Sequence, residues 1–249
     1  MPEIHQRMLY APQREAQAIV GLIARVDDWA KGIPRDGLSE SERALLEQAR
    51  HMEVGLPCPN LGTGQEVESQ MAAALADLRD VETRRTLGQF FTPEPVVQTM
   101  VEWVAGASPG QVVDAGCGTG RFAIEAARAL PYARVLAVDL DPAATLITRA
   151  YAKRFNLNNI EVHCTDFLRG RLDLDDSPAA FLGNPPYVRH HRLPADIKAW
   201  GAAAAKRLNL SFSRLAGSHV YFFLATALRA RPGDVGCFIT SAEWLDVRY

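Results

Sequence analysis

The sequence is poor in the features that mark secreted, membrane-spanning or disordered chains. Cysteine is scarce, with Cys58, Cys117, Cys164 and Cys237 scattered through 249 residues. No two stand close enough for a zinc-type or redox CxxC pair. Scattered thiols without a secretory leader point to a reducing, cytoplasmic setting. The start, MPEIHQR, has no apolar core behind a basic region, so no signal peptide is expected. Long apolar runs are missing too: the longest, Val220 to Leu228, is about half of a bilayer span, so no membrane association is expected. A formal net charge of -2 gives no global electrostatic reason for nucleic-acid binding, although a local basic groove is compatible with it. What is present is ordinary for a globular domain: 48% hydrophobic and 22% charged residues exclude wholesale disorder, and the length supports a core without disulfides or metal.

The chain changes texture near residue 83. Before it, helices are expected. Ile19, Leu22, Ile23, Val26 and Trp29 form a loose helical stripe within residues 12–30. Ser39 with Glu42 three residues later is a capping-box signature. Val67, Met71, Leu75 and Leu78 suggest a third helix over 65–85. These helices either pack on the main domain or bind a partner. After them, Thr92 and Pro93 read as N-cap and first residue of a helix. Strand-like runs at 111–115, 134–139, 160–164, 180–183 and 235–240 alternate with helical runs near 120–130, 142–155 and 218–231. Such alternation predicts an α/β fold, a parallel sheet with helices on both faces. Ligands of such sheets sit at the carboxyl ends of the strands.

Three strand ends carry candidate binding residues. VVDAGCGTGRF places Gly116, Gly118 and Gly120 in a GxGxG turn, where glycine permits close backbone approach and a helix N-terminus follows. Arg121 breaks the dinucleotide pattern GxGxxG. The turn resembles the DxGxGxG turn of S-adenosylmethionine (SAM) methyltransferases, and that likeness implies that Asp114 pairs with the methionine ammonium. Asp139 ends the second strand, 19 residues after Gly120, where a carboxylate accepts bonds from ribose hydroxyls. Asp166 and Phe167 follow the third strand, as candidates for an adenine amino group and an adenine ring.

The fourth strand runs into Asn184, Pro185, Pro186 and Tyr187. Two prolines remove two backbone donors and hold the chain extended, leaving the Asn184 side chain and the Pro185 carbonyl as fixed acceptors. A conjugated amine is a poor nucleophile because its lone pair is delocalised. Two acceptors on its N–H groups would favour a pyramidal nitrogen and aim the lone pair. Tyr187 would stack on the flat ring and stabilise the developing positive charge. Orientation and electrostatics suffice, with no covalent enzyme intermediate.

With this turn in place, the chain resembles the N6-adenine-specific DNA methyltransferases of restriction-modification systems over residues 83–249. RRTLGQFFTPEPVV is similar to motif X, which closes over SAM. VVDAGCGTGRF, LAVDLDP, TDF and GNPPYVR are similar to motifs I to IV, and residues 218–245 to the helix and strand that follow. The resemblance implies a Rossmann-like class I SAM-dependent methyltransferase core over 83–249, preceded by a helical region over 1–82. It implies Asn184, Pro185, Pro186 and Tyr187 as catalytic residues. Phe91, Thr92, Pro93, Asp114, Gly116, Gly118, Gly120, Asp139, Asp166 and Phe167 are implied as cofactor contacts, with SAM as methyl donor and no metal. The implied partners are duplex DNA with a flipped adenine, and a specificity subunit or target-recognition domain.

Residues 187–214 carry Arg189, Arg192, Lys198, Lys206, Arg207 and Arg214 against one acid, Asp196. The segment reads as a basic loop that contacts phosphates or is simply solvated. Adjacent His190 and His191 lack further ligands and are not expected to bind metal. The family continues past its fifth strand with two more strands and a recognition domain, so this chain is expected to be C-terminally incomplete, with an exposed sheet edge. Two other readings stay open: a SAM-dependent methyltransferase of a protein glutamine amide or an RNA base, since related turns serve there, or a non-catalytic binding module.

Overall fold

Five runs of strand-like sequence become five parallel strands: β1 (Gln111–Ala115), β2 (Arg134–Asp139), β3 (Ile160–Cys164), β4 (Ala179–Gly183) and β5 (Val235–Phe238). The computed structural model describes residues 13–51, 65–79, 92–213 and 215–240. The sheet order is β3-β2-β1-β4-β5, with every neighbouring pair parallel. The chain winds outward from β1 to β3 and then crosses back to place β4 on the other side of β1. The topological switch therefore lies between β1 and β4, where doubly wound sheets open a crevice for ligands. β5 forms one margin of the described sheet.

The three central strands, β1, β2 and β4, are buried on both faces, which is why they read as continuous apolar runs, whereas β3 and β5 at the margins are only partly covered. Alternate residues point to opposite sides. Val112, Val135, Ala137, Ala180 and Leu182 pack against α4 (Glu94–Ala105) and α5 (Arg121–Ala129) through Val97, Val101, Val104, Phe122 and Ala126. Val113, Leu136, Val138 and Phe181 face the other way, towards Ala225 and Phe222 of α8 (Ser218–Ala227).

Three further helices precede this unit: α1 (Gln13–Trp29), α2 (Glu40–Arg50) and α3 (Gln65–Asp77). The capping box at α2 forms as its spacing predicts: Glu42 N–H donates to Ser39 Oγ at 3.2 Å, and Ser39 N–H donates to Glu42 Oε2 at 2.8 Å. The apolar stripes of the three helices join one core with α6 (Pro142–Arg154), in which Ile23, Val26, Leu46, Met71 and Leu75 meet Leu146, Ile147, Ala150 and Tyr151. The Trp29 ring stands edge-on to Tyr151 at 5.1 Å. A buried ion pair adds a polar tie, with Arg149 Nε 2.8 Å from Glu42 Oε1.

Three sequence expectations need correction. Pro93, not Thr92, is the N-cap of α4, and the helix starts at Glu94. The Thr92 hydroxyl is used elsewhere, as described below. The described part of the expected basic loop, 187–213, is not all loop: it holds a 3-10 turn (His190–Arg192) and α7 (Ala195–Arg207). Ile197, Ala204 and Ala205 of α7 are buried, because its alanine-rich stretch presents one apolar face while its charges lie on the other. The third helix ends at Asp77 and not near 85.

Candidate active site

Gly183 ends β4 with φ 149°, and a Cβ placed there would lie 2.7 Å from the Ala115 carbonyl oxygen. Only glycine lets the ends of β1 and β4 approach so closely. The glycine turn after β1 and the Asn184–Tyr187 turn after β4 therefore open side by side at the topological switch.

The glycine turn is shaped from both ends. Gly116 N–H and Cys117 N–H both donate to the Val138 carbonyl at 2.9 Å. Gly120 is the N-cap of α5 at φ 92°, and a Cβ there would sit 2.7 Å from Thr148. At Gly118 a Cβ would meet nothing within 4 Å, so the middle of the turn borders open space. Its N–H donates to Asp139 Oδ2 at 2.7 Å, and Asp141 N–H donates to Asp139 Oδ1 at 2.9 Å. Burial, and then the neighbouring Asp141 carboxylate, push the Asp139 pKa up to about 6. Burial holds the Cys117 thiol well above its ordinary pKa, so it is no nucleophile.

Two expected cofactor contacts are placed differently. Asp114 is fully buried, and its Oδ2 accepts from Ala123 N–H at 2.9 Å. It braces α5 beneath the turn and presents no surface to an ammonium group. Phe167 is 3% exposed and stacks on Phe222 at 5.3 Å, with the Arg229 guanidinium 4.9 Å from its ring centre. It belongs to the core and offers no open face to an adenine. Asp166 is half-buried, accepting from Leu168 N–H at 2.9 Å and from Arg169 Nε at 2.8 Å. Phe91 lies outside the described residues, as do the other motif X residues before Thr92.

The Asn184 side chain is held in one orientation. Its Nδ2 donates to Thr92 Oγ1 at 3.2 Å. Its Oδ1 is buried and has no hydrogen-bond partner among the described residues. A buried acceptor without a partner is rare and calls for a reason. Thr92 is itself fixed, since Arg121 Nη1 donates to its carbonyl at 2.6 Å. The rest of the turn is laced to the start of α8: Val188 N–H donates to Ser218 Oγ at 2.7 Å, Ser218 N–H donates to the Val188 carbonyl at 3.0 Å, and Ser218 Oγ donates to the Pro186 carbonyl. Tyr187 is half-buried, with its ring 6.0 Å from His219, and burial raises its pKa, so the phenol keeps its proton. Burial lowers the His219 pKa, which leaves a neutral imidazole beside it.

Sequence reasoning passed over Ser218 and His219, and assigned the Thr92 hydroxyl to a helix cap and the cofactor and not to Asn184. A serine opening an apolar helix reads as an ordinary helix start, and nothing in the chain signals a contact to a turn 30 residues earlier. Among the basic residues, Arg189, Arg192, Lys206 and Arg207 are exposed, whereas Arg214 lies outside the described residues. Asp196, the one acid of that segment, is bound by Arg169 Nη1 at 2.9 Å. His190 and His191 stand with ring centres 5.4 Å apart and perpendicular.

Known proteins bear on this geometry. Residues 112–208 match a family model described as a methyltransferase domain. The Type II methyltransferase M.XamI of Xanthomonas campestris pv. amaranthicola is 45% identical over 164 residues, 65% of this chain and 31% of that protein. The chain thus spans about a third of that relative's length. A human release factor glutamine methyltransferase is 30% identical over 241 residues, 79% of this chain and 70% of that protein. Two solved structures share the fold at 15% identity. One is a class I methyltransferase from Listeria monocytogenes, with TM-score 0.52, covering 93% of this chain and 76% of that chain. The other is a type I restriction-modification methyltransferase subunit from Streptococcus thermophilus, with TM-score 0.50, covering 78% and 42%. Sheet order, glycine turn and these likenesses agree: the chain belongs to the methyltransferases and has the class I S-adenosylmethionine-dependent methyltransferase fold, with similarity to the methylases of restriction-modification systems.

Proposed function

We propose that this chain carries the catalytic core for methylation of the N6 amino group of adenine in DNA, within a restriction-modification or related system. The observation that carries the reading is the buried, partnerless Asn184 Oδ1 at the mouth of the topological switch. An amino group of a flipped base is the donor that this acceptor fits. Asn184 Oδ1 accepts one N–H, and the Pro185 carbonyl beside it is the candidate for the second. Together they orient the nitrogen lone pair, and Tyr187 supplies a neutral aromatic face for the ring.

The residues present fit the methyl donor. Open space beside Gly118, the adjacent Asp139 carboxylate and the N-terminus of α5 form a cradle for an amino-acid-bearing nucleoside. S-adenosylmethionine bound there supplies an electrophilic methyl group. Asp139 is assigned the ribose hydroxyls and Asp166 the adenine edge, with the Thr92–Pro93 segment alongside. The exposed Arg189 and Arg192, next to the Asn184–Tyr187 turn, are assigned to DNA phosphates. Duplex DNA is the partner, sequence choice falls to a recognition domain or specificity subunit, and the cytoplasm is the setting. The helical region 1–82 and the catalytic region 83–249 are the two units of this reading.

The glutamine-amide reading retains one supporting observation, the likeness to release factor glutamine methyltransferases. One experiment separates the two. Tritiated SAM is supplied to the chain with duplex DNA containing many sequence contexts, and separately with a release factor. Label recovered as N6-methyladenine, and lost in Asn184→Ala, supports the DNA reading. Label confined to a glutamine of the protein overturns it.

A further inference from the structure

Arg79, just after α3, is buried with its side chain 5% exposed, and it forms an ion pair with Asp141, whose side chain is 4% exposed. Such a pair costs desolvation that its attraction rarely repays, so it is weak as a stability device. Its position is more informative. Asp141 Oδ1 accepts from Ala143 N–H at 3.0 Å and caps α6. Asp141 N–H holds Asp139 Oδ1, and Asp139 Oδ2 holds Gly118 N–H. One continuous polar chain thus runs from the helical region into the middle of the glycine turn.

We infer that Arg79 is a positioning residue of the nucleoside subsite, holding the 139–141 segment so that the Asp139 carboxylate faces a ribose. The inference rests on the reading of Asp139 as the ribose acceptor and is independent of the methylated substrate. It gives the helical region a part in cofactor binding, beyond packing. The region has its own anchor: Arg149 binds Glu42, the Gly37 carbonyl at 2.9 Å and the Val162 carbonyl. The fold therefore has a tie that does not pass through Arg79. Among the described residues, the charged groups around Asp139 are the Asp141 carboxylate, which raises its pKa, and the Arg79 guanidinium, which lowers it, while the Cys117 thiol on the turn stays protonated.

The test is calorimetric titration of the full chain with SAM between pH 5 and pH 8. Arg79→Met is expected to weaken binding about tenfold and to move the pH midpoint of affinity upward, because a cation that favours ionised Asp139 is gone. Arg79→Lys should restore the midpoint. Should Arg79→Met fail to fold, the pair Arg79→Met with Asp141→Asn leaves neither partner of the ion pair stranded and keeps a capping side chain, and it should show the same weakening. In an Asp139→Asn background the Arg79 change should add nothing. Wild-type affinity and midpoint in Arg79→Met, or an undiminished further loss in the Asp139→Asn background, overturns the inference. If Asp139→Asn alone leaves affinity unchanged, the ribose reading has failed, and the inference with it.

Discussion

Asn184 Nδ2 donates to the Thr92 hydroxyl at 3.2 Å, joining residues 92 positions apart at the point where α4 approaches the switch between β1 and β4. The bond decides which way the amide faces. With the nitrogen on Thr92, the oxygen is the atom left for the substrate amine of the proposed reaction. Thr92→Val keeps the shape and removes the acceptor. The loss of one ordinary hydrogen bond, about 1 kcal/mol, predicts roughly a fivefold fall in methyl transfer. Thr92→Ser should recover most of it. Single-turnover rates at saturating SAM are the measurement.

Ser218 secures the other end of the same turn. Its hydroxyl receives Val188 N–H at 2.7 Å and donates to the Pro186 carbonyl. Two prolines have already removed backbone donors from this turn, so the Ser218 hydroxyl carries a large part of its polar anchoring. Ser218→Ala leaves a buried N–H and a buried carbonyl short of a partner, at a cost of about 1–3 kcal/mol. Hydrogen exchange at the Val188 amide should quicken, and the rate of transfer should fall while SAM affinity stays close to wild type. An unchanged Val188 exchange rate would show that the hydroxyl does not hold the turn.

The central strands were legible because β1, β2 and β4 are buried on both faces and bounded by turn residues, so VVDA, LAVD and AFLG could hardly be anything else. The two turns were legible because glycine and paired prolines have few uses at strand ends. Burial was not legible. An acid at the end of β1 looks available from the sequence, yet Asp114 is enclosed and serves α5. An aromatic after β3 looks like a base platform, yet Phe167 is taken by Phe222. The same holds for α7, whose charges drew attention from the buried Ile197 and Ala204. Long-range polar partners such as Arg79 with Asp141 leave no local trace, because nothing in either neighbourhood encodes the other.

Asp139 should make cofactor affinity depend on pH. Its pKa is raised from 3.8 to about 6 by burial and by Asp141. If Asp139 is the ribose acceptor, as proposed, the hydroxyls donate to its ionised form, so binding must first remove the proton at low pH. Affinity should be flat above about pH 7 and fall as pH drops through 6, approaching tenfold per unit. Asp139→Asn should be weaker at neutral pH and flat across the range. Stability runs in the opposite sense. A raised folded-state pKa for an acid means that ionisation disfavours the fold, so this contribution is present at low pH and is lost as pH rises from 3.8 to about 6. Opposite slopes for binding and for unfolding of the free chain would identify Asp139 as their common source.

The Glu42–Arg149 pair predicts a non-additive stability pattern. Glu42 is fully buried on α2 and also accepts from Ser39 N–H, while Arg149 on α6 reaches the Gly37 and Val162 carbonyls besides Glu42. Removing one member strands the other charge in the core. Glu42→Ala or Arg149→Met alone should each lower unfolding free energy by about 3–5 kcal/mol. The cost of Glu42→Ala includes its capping bond, which is worth about 1 kcal/mol. The double variant leaves no stranded charge, so it should be clearly more stable than the sum of the two losses implies. Denaturant melts of the four proteins form a double-mutant cycle that reads this coupling directly. Additive losses would mean that the Glu42–Arg149 pair is incidental to holding α2 on α6.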